Sequence, residues 1–343
     1  MKLDTRELAD ILRYFGLTFQ KVTKWYDTSH GVEDERFHYM LDDRYVLKIC
    51  SVCAMWESRL QEINRLLDRY RSIGVYCPAL LPTETGALSC SWKKDGRDYT
   101  CFVEEFAKYP LCDTENVDRR EIIEHLGILA SKYSNTDLSD TRCMWSIIDL
   151  APLDTDVDEK QENTNLLVKA LREHGYVQLG QQVERLNDRL RERIMTVFDV
   201  LPRCVFQGDL NYSNLLHDQN HFVGLIDFNC SGTDVNINVF LNETNWFPWE
   251  EEFVRLSVSE MLERMDREQE KLLSVIFQHY TMNTVERYAF PYYKGIVDLF
   301  QYPDVCLMVK WLGEEARRDK CVQLIEALVQ KILRQTEKNE IAL

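Results

Sequence analysis

The chain has 343 residues, of which 45% are hydrophobic and 29% charged, and a formal net charge of −16. This length exceeds what one hydrophobic core comfortably supports, so we expect two lobes. The surplus of acid argues against a nucleic-acid partner, because phosphate backbones are bound by clustered Lys and Arg. No apolar stretch approaches the ~20 residues that span a bilayer, and no secretory signal is evident. We therefore expect a cytoplasmic protein without a membrane partner, in which the eleven cysteines are free thiols.

The N-terminal pattern predicts a short helix and then an antiparallel sheet. Asp4 to Glu7 is typical of a capping box, and apolar residues at helical spacing follow until Gly16 ends the helix. The next segment changes to alternating polar and apolar residues, which indicates extended chain. Three antiparallel strands are expected, within residues 19–26, 36–41 and 45–49.

A long helix and a hairpin complete the predicted first lobe. Residues 54–73 have apolar side chains at helical spacing, and Gly74 supplies the stop. Strands at residues 86–92 and 99–106 flank the turn dipeptide Asp95-Gly96, a strong hairpin signal. The first lobe is therefore predicted to hold a five-stranded antiparallel sheet and a helix.

The second lobe is predicted to be mostly helical. The segment from Ala107 to Asp113 contains a proline and is the expected connection, which gives an N-lobe of residues 1–107 and a C-lobe of residues 108–343. Helical periods follow at residues 116–134, 160–176, 178–200 and from about 251 to the end of the chain.

Two carboxylates and a carboxamide lie at the ends of predicted strands between Phe206 and Phe228. Asp209 precedes Asn214 by five residues, and Asp227 follows a short apolar hairpin. In phosphoryl-transfer enzymes an Asp orients the attacking hydroxyl, while an Asn five residues later and a second Asp bind magnesium. We therefore predict Asp209 as the catalytic base and Asn214 and Asp227 as Mg²⁺ ligands.

The spacing alone is weak evidence, since roughly one such Asp and Asn pair is expected by chance in a chain this long. The context supports it: apolar runs on both sides of residues 218–220 predict a hairpin that joins Asn214 to Asp227. The alternative is that Asp209 and Asn214 only cap a turn and Asp227 only ends a strand.

These residues resemble the aminoglycoside phosphotransferase and choline kinase superfamily, the small-molecule branch of the protein-kinase-like fold. Its signature is close to H-G-D-x-x-x-x-N followed by I-D-F, and this chain has Gln207 in place of the usual His. It also has Asn238 near the place of a usual Asp. The resemblance implies an α+β, bilobal protein-kinase-like fold with short catalytic hairpins in the C-lobe.

The nucleotide, ATP or GTP, is expected to bind to the N-lobe. A kinase needs a cation on the donor phosphates and a carboxylate that orients it, on the third strand and the long helix. Lys48 lies on the predicted third strand. The resemblance supports Lys48 as that cation and implies Glu62 as its partner, with Glu57 as the alternative.

Two further parts of the nucleotide site are expected near strand ends. The phosphate-covering loop should lie at residues 28–32, where Ser29 can donate a hydrogen bond and Gly31 allows close backbone approach. The purine should lie along residues 104–107, where the backbone of Glu105 and Ala107 is expected to be free to bind a base.

The acceptor is expected to be a small molecule with a hydroxyl group. The chain lacks the A-P-E segment of protein kinases after Asp227, which disfavours a protein acceptor. Trp246 and Trp249 are candidate pocket residues, although aromatic side chains at helical spacing more often pack in a core. Residues 1–107 carry 15 basic and 17 acidic side chains, whereas residues 108–343 carry 26 and 40. This difference favours a cationic or amine-bearing acceptor.

The sequence therefore predicts a Mg²⁺-dependent small-molecule kinase. The alternative is a nucleotide-binding sensor without turnover, a pseudokinase. The presence of Lys48, Asp209, Asn214 and Asp227 together argues against it, because loss of catalysis removes the physical need for all four.

Overall fold

The structure is a computed structural model that describes residues 2–31, 33–112, 117–151 and 156–341. Val32 of the predicted phosphate loop and Asp113 of the predicted connection lie outside these ranges. The chain forms two compact units: Met1–Asp118 with Asp209–Asn229, and Arg119–Gly208 with Cys230–Leu343. These units are defined by packing. The division of function at residue 107 stays a prediction.

The first unit contains an antiparallel sheet of six strands in the order β1-β2-β3-β6-β4, with β5 also paired to β6. The five predicted strands are present, and the count is corrected by Leu80–Leu81, a two-residue strand too short to show alternation. The strands are β1 (Val22–Asp27), β2 (Arg36–Leu41), β3 (Tyr45–Ser51), β4 (Leu80–Leu81), β5 (Cys90–Lys94) and β6 (Arg97–Glu105).

Helix α1 (Thr5–Arg13) covers one face of this sheet. Asp4 and Glu7 form the predicted capping box at its start. Its apolar side chains pack with the side chains on one face of β2, β3 and β6, among them Phe37, Leu47 and Val103. Because side chains alternate across a strand, the intervening residues project from the opposite face. That opposite face carries the candidate site residues.

Helix α2 (Glu57–Arg71) and a hairpin complete the first unit. The hairpin joins β8 (Leu215–Asp218) to β9 (His221–Leu225), as predicted. Gln219 and Asn220 at its tip have φ of 48° and 69°, the left-handed values of the turns that suit two-residue hairpins. Gly224 lies against the backbone at Tyr76, where a Cβ atom would be 2.3 Å from the carbonyl oxygen.

The second unit is mostly helical, as predicted. It contains one two-stranded antiparallel sheet, β7 (Arg203–Phe206) with β10 (Gly232–Val235). No helix in the described part of the chain is long and apolar enough to cross a membrane. The helices are α3 (Arg119–Tyr133), α4 (Glu159–Glu173), α5 (Val177–Met195), α6 (Asn236–Thr244), α7 (Glu250–Arg255), α8 (Val258–Ile276), α9 (Thr284–Phe300), α10 (Tyr302–Gly313) and α11 (Glu315–Ile341).

Candidate active site

The three residues of the predicted catalytic motif lie together in the first unit. Asn214, in a short 3-10 turn, donates from Nδ2 to the Asp209 carboxylate oxygen Oδ2 at 2.9 Å and to its backbone oxygen at 3.1 Å. Both bonds use the amide nitrogen, so the carboxamide oxygen of Asn214 remains available as a ligand atom. The Ile226 N–H donates to the Asn214 backbone oxygen at 2.9 Å. This bond fixes Asp227, the next residue, to the same turn.

Asp209 and Asp227 repel each other electrostatically. Burial and the nearby Asp227 carboxylate raise the pKa of Asp209 above its ordinary value. Two carboxylates that raise each other's energy in this way favour a cation nearby, because opposite charge relieves the repulsion. Asp227 has a left-handed backbone with φ of 54°, which is uncommon for a residue other than glycine. The hairpin and its neighbours therefore hold Asp227 in a conformation that aspartate does not favour by itself.

The donor set fits Mg²⁺. Carboxylate and carboxamide oxygens are the hard ligands that this ion prefers, and it usually takes only one or two carboxylates together with water and substrate phosphates. In the part of the chain that the structure describes, no group of three His, Cys, Asp or Glu side chains could enclose a metal ion. The predicted ligands Asn214 and Asp227 supply one carboxamide and one carboxylate, a donor set that fits an ion whose other ligands are water and substrate phosphates.

Lys48 lies on β3 and is 7% exposed. Its ammonium pairs with the Glu104 carboxylate at 3.0 Å. Burial opposes the charge of Lys48, but Glu104 and Asp227 together raise the pKa of the ammonium. Lys48 is therefore a buried, charged cation near the second motif carboxylate.

The structure corrects the expected ion pair between Lys48 and Glu62. Glu104 is opposite Val46 in the register of β3 and β6, which places it diagonally next to Lys48 on the same face of the sheet. The Glu62 carboxylate instead contacts the Arg59 guanidinium at 3.3 Å, one helical turn away on α2. The alternative, Glu57, accepts hydrogen bonds from the backbone of Leu88 and the hydroxyl of Ser89.

His38 is a further candidate site residue, which the sequence did not indicate. It is directly opposite Lys48 in the register of β2 and β3, so both side chains project from one face. Burial and the adjacent Lys48 charge lower the pKa of His38 to about 4, which makes the imidazole neutral at pH 7. Its Nε2 atom is buried without a hydrogen-bond partner among the described residues. The predicted pairing of these two strands was the signal that could have identified it.

The other predicted nucleotide contacts lie at two strand ends. The Ser29 hydroxyl donates to Asp27 at 2.7 Å and accepts from the Arg36 N–H at 2.9 Å, so it closes the β1 to β2 turn. Gly31 has φ of 134°, open to glycine, and no atom would contact a Cβ there within 4 Å. These positions leave the roles of Ser29 and Gly31 as predictions.

The backbone expected to bind the purine is only partly free. The Glu105 N–H donates to the Ala79 oxygen at 2.9 Å, which corrects the expectation that this group is available. The reason is β4, which pairs with β6 and which the sequence did not predict. The N–H of Ala107, by contrast, takes part in no hydrogen bond within the described ranges.

The two departures from the superfamily signature lie in the second unit. Gln207 is fully buried. Asn238 donates to the Asp234 carboxylate at 2.9 Å and to the Trp145 oxygen at 3.1 Å. Burial raises the pKa of Asp234 to about 7, although hydrogen bonds from Asn238 and the Val235 N–H oppose this rise. Asn238 is therefore the hydrogen-bond donor to a buried carboxyl group that titrates near neutrality.

The candidate acceptor residues also lie in the second unit. Trp249 is 64% exposed and borders a groove of about 550 Å³ with Glu250, Glu251, Glu252 and Arg255. The Trp246 ring lies under the Arg264 guanidinium, 4.6 Å from ring centroid to carbon. Glu250 is already paired with Lys310 and Arg317. The groove is therefore lined by acidic side chains, and the charge of one of them, Glu250, is neutralised by basic side chains of the same unit.

The antiparallel sheet, the mostly helical second unit and the carboxylate hairpin define the protein-kinase-like fold of the small-molecule phosphotransferases. Residues 28–235 match the model of the Phosphotransferase enzyme family, APH. This match spans more than half of the chain. The chain belongs to that family.

Solved structures agree with this fold. An aminopropanol kinase associated with a microcompartment is similar with a TM-score of 0.52 and 12% identity, covering 98% of each chain. An amicoumacin kinase in complex with AMP-PNP, Ca²⁺ and Ami has a TM-score of 0.52 and 11% identity, covering 96% of this chain and 94% of that one. A spectinomycin phosphotransferase in complex with ADP and spectinomycin has a TM-score of 0.50 and 10% identity, covering 99% of both. None of the curated proteins matches this chain.

Proposed function

We propose that this protein transfers the γ-phosphoryl group of ATP or GTP to a hydroxyl group of a small polar, amine-bearing molecule, with Mg²⁺. Nucleotide binding is assigned to residues 1–107 and acceptor binding to residues 108–343. The observation that carries the proposal is the geometry of Asp209, whose carboxylate is held by Asn214 near Asp227. That arrangement combines a proton acceptor with a metal-binding pair, which is what phosphoryl transfer requires.

Each residue has a distinct task in this proposal. Asp209 accepts the proton of the acceptor hydroxyl and orients its oxygen toward the phosphorus atom. Its raised pKa makes it a better proton acceptor than an exposed aspartate. The Asn214 amide fixes the carboxylate that receives the proton. Asn214 and Asp227 hold Mg²⁺, which when bound neutralises charge on the donor phosphates.

Lys48 is proposed to bind the donor phosphates. Its ammonium is fixed by Glu104 before any ligand arrives, so little reorganisation is needed at the moment of reaction. Ser29, Gly31, Glu105 and Ala107 are proposed to surround the nucleotide, with the unbonded N–H of Ala107 as the donor to the base. Glu62, on helix α2, is also proposed to belong to the nucleotide-binding residues.

The amine on the acceptor is supported by the charge distribution. Residues 108–343 carry 40 acidic and 26 basic side chains. A neighbour with the same fold is named as an aminopropanol kinase. Acidic surroundings raise the local concentration of a cation and disfavour anions.

The test is transfer of labelled γ-phosphate to matched pairs of acceptors. Each pair consists of an amino alcohol or amino sugar and, as a separate compound, a neutral alcohol or sugar of equal size. We expect incorporation into the amine-bearing member at least tenfold above its neutral partner, and transfer about 10²- to 10⁴-fold slower with Asp209→Asn. Nucleotide binding without transfer to any acceptor would contradict the proposal and favour the pseudokinase alternative.

A further inference from the structure

Arg59 is a buried arginine on α2 beside the metal-binding segment. It is 3% exposed, and arginine is almost never this buried unless its charge is paired. Its Nη1 atom lies 3.3 Å from the Glu62 carboxylate. Its Nη2 atom lies 3.4 Å from the backbone oxygens of both Phe228 and Asn229, the two residues after Asp227. One guanidinium thus joins helix α2 to the backbone that carries a predicted metal ligand.

A second contact joins the same two elements. The ring of Tyr70, also on α2, packs edge-on against the Phe228 ring at 5.8 Å between centroids. The segment after Asp227 is therefore fixed to α2 through both its backbone and its side chain. Asp227 itself has φ of 54°. A left-handed backbone is unfavourable for aspartate and persists only where its surroundings determine it.

Glu62 has a different neighbour from the one its predicted role requires. Lys48 is paired with Glu104, and Glu62 contacts Arg59. The Glu62 side chain is 10% exposed, so its contact with the Arg59 guanidinium is largely shielded from water. The Glu62 carboxylate therefore lies beside the guanidinium that contacts the Asp227 segment.

We propose that Arg59 is a positioning residue for the metal ligand Asp227, and that Glu62 acts through Arg59 rather than on Lys48. The inference rests on the proposed function, in which Asp227 binds Mg²⁺. Residues that orient a metal ligand without touching the metal typically change metal affinity about 10- to 100-fold when they are replaced.

The test is a titration of the protein with Mn²⁺, with AMP-PNP present so that no turnover occurs. Free Mn²⁺ is measured by electron paramagnetic resonance, and AMP-PNP binding without metal is measured separately by calorimetry in EDTA. We expect Arg59→Gln to weaken Mn²⁺ binding about tenfold or more. Metal-free AMP-PNP affinity should stay within about twofold of wild type, because Lys48 is unaffected. Arg59→Lys should recover part of the loss, since an ammonium keeps the charge but lacks the planar fork that contacts Glu62 through one nitrogen and the two carbonyls through the other.

Arg71 provides a matched control on the same helix. Its guanidinium donates to the backbone oxygens of Cys77 and Pro78 at 3.0 to 3.2 Å. Arg71→Gln therefore removes a similar set of bonds away from Asp227, and Mn²⁺ affinity should match wild type. An equal loss in Arg71→Gln and Arg59→Gln would show a general effect on the helix and overturn the inference.

Glu62→Gln distinguishes the two roles of Glu62. If it acts through Arg59, the substitution weakens Mn²⁺ binding, and combining it with Arg59→Gln adds little further loss. If it acts on Lys48, the substitution weakens metal-free AMP-PNP binding instead, which overturns the inference. If Arg59→Gln does not fold, Mn²⁺ binding by Glu62→Gln and Arg59→Lys decides whether Arg59 positions Asp227. Failure of wild type to bind Mn²⁺ with AMP-PNP would contradict the proposed function, whereas wild-type binding with unchanged Arg59→Gln binding contradicts only the inference.

Discussion

Asn214 donates a hydrogen bond to the Asp209 carboxylate at 2.9 Å. This hydrogen bond therefore couples the two side chains. It orients the carboxamide oxygen of Asn214 and the second carboxylate oxygen of Asp209 together. This relationship gives the aspartate a fixed direction without neutralising it, which a base requires. Replacing either residue should affect the chemistry more than the fold.

Asp209→Asn should lower kcat by about 10²- to 10⁴-fold, the usual contribution of a general base. Nucleotide affinity should stay near that of wild type, because the amide keeps the shape of the side chain. Steady-state kinetics with the productive acceptor and calorimetry with nucleotide measure the two effects. Asp218→Asn is the control, an exposed aspartate at the tip of the same hairpin. A kcat within about threefold of wild type would show that Asp209 is not the base.

Asp227→Ala should remove most of the Mg²⁺-dependent increase in melting temperature that nucleotide produces. A ligand that binds only the folded state adds about 2.7 kcal/mol at a hundred times its Kd, so the wild-type increase should be readily measured. Some response to metal-free nucleotide should persist, since Lys48 is intact. An unchanged Mg²⁺ response in the variant is incompatible with Asp227 as a metal ligand.

Lys48→Met should raise KM for nucleotide and lower kcat, because it removes the cation proposed for the donor phosphates. Glu104→Gln should act in the same direction with a smaller effect, since it releases the ammonium without removing it. Both are measured by initial rates over a range of nucleotide concentrations. Lys24→Met, at an exposed position on β1, is the matched control. Wild-type kinetics in both Lys48→Met and Glu104→Gln would place the phosphate contact elsewhere.

Asp234 should make the folded protein less stable as pH rises. Burial raises the pKa of Asp234 to about 7 from an ordinary value of 3.8, so the folded state holds this proton more tightly than the unfolded state does. The stability from the bound proton is complete below about pH 4 and is lost as pH rises through about 7, by up to about 4 kcal/mol. Asp234→Asn should flatten the melting temperature between pH 5 and about pH 8 relative to wild type. Parallel pH profiles would mean that Asp234 does not titrate there.

KM for the acceptor should rise with ionic strength if the surplus of acidic side chains in residues 108–343 attracts a cationic acceptor. The screening length shortens from about 10 Å at 0.1 M salt, which weakens that attraction, while kcat changes little. Initial rates at several salt concentrations measure this. A neutral productive acceptor with a salt-independent KM would show that these acidic side chains lie on the surface and do not attract the acceptor.

The sheet and the catalytic hairpin could be predicted because their signals are local. Alternation identifies β2 and β3 and the turn at residues 218–220 joins the two motif arms, so Asp209, Asn214 and Asp227 could be placed together. The partner of Lys48 could not, because it depends on the register of β3 against β6, two strands about fifty residues apart. Strand β4 could not be predicted either, because two residues are too few to show the alternation of polar and apolar side chains that indicates a strand.

Arg59 had no local signal at all. The pattern of an amphipathic helix predicts that a charged side chain at this position is exposed. Only the folded chain shows that Arg59 is buried beside residues 228 and 229. The resemblance implies a role for Glu62 and a partner on the sheet, and it implies none for Arg59, one turn earlier on the same helix.

The first compact unit is discontinuous in sequence, since it combines Met1–Asp118 with Asp209–Asn229. The later segment contributes backbone bonds to the earlier one, from Tyr76 N–H to the Val223 oxygen at 2.8 Å and from Cys112 N–H to the Leu215 oxygen at 2.8 Å. A nascent chain that has emerged only to residue 118 therefore lacks both the partners of these groups and the carboxylates of the site. Synthesis must bring the intervening ninety residues out of the ribosome before this unit can close, and a fragment cut at residue 118 should be a poor folder.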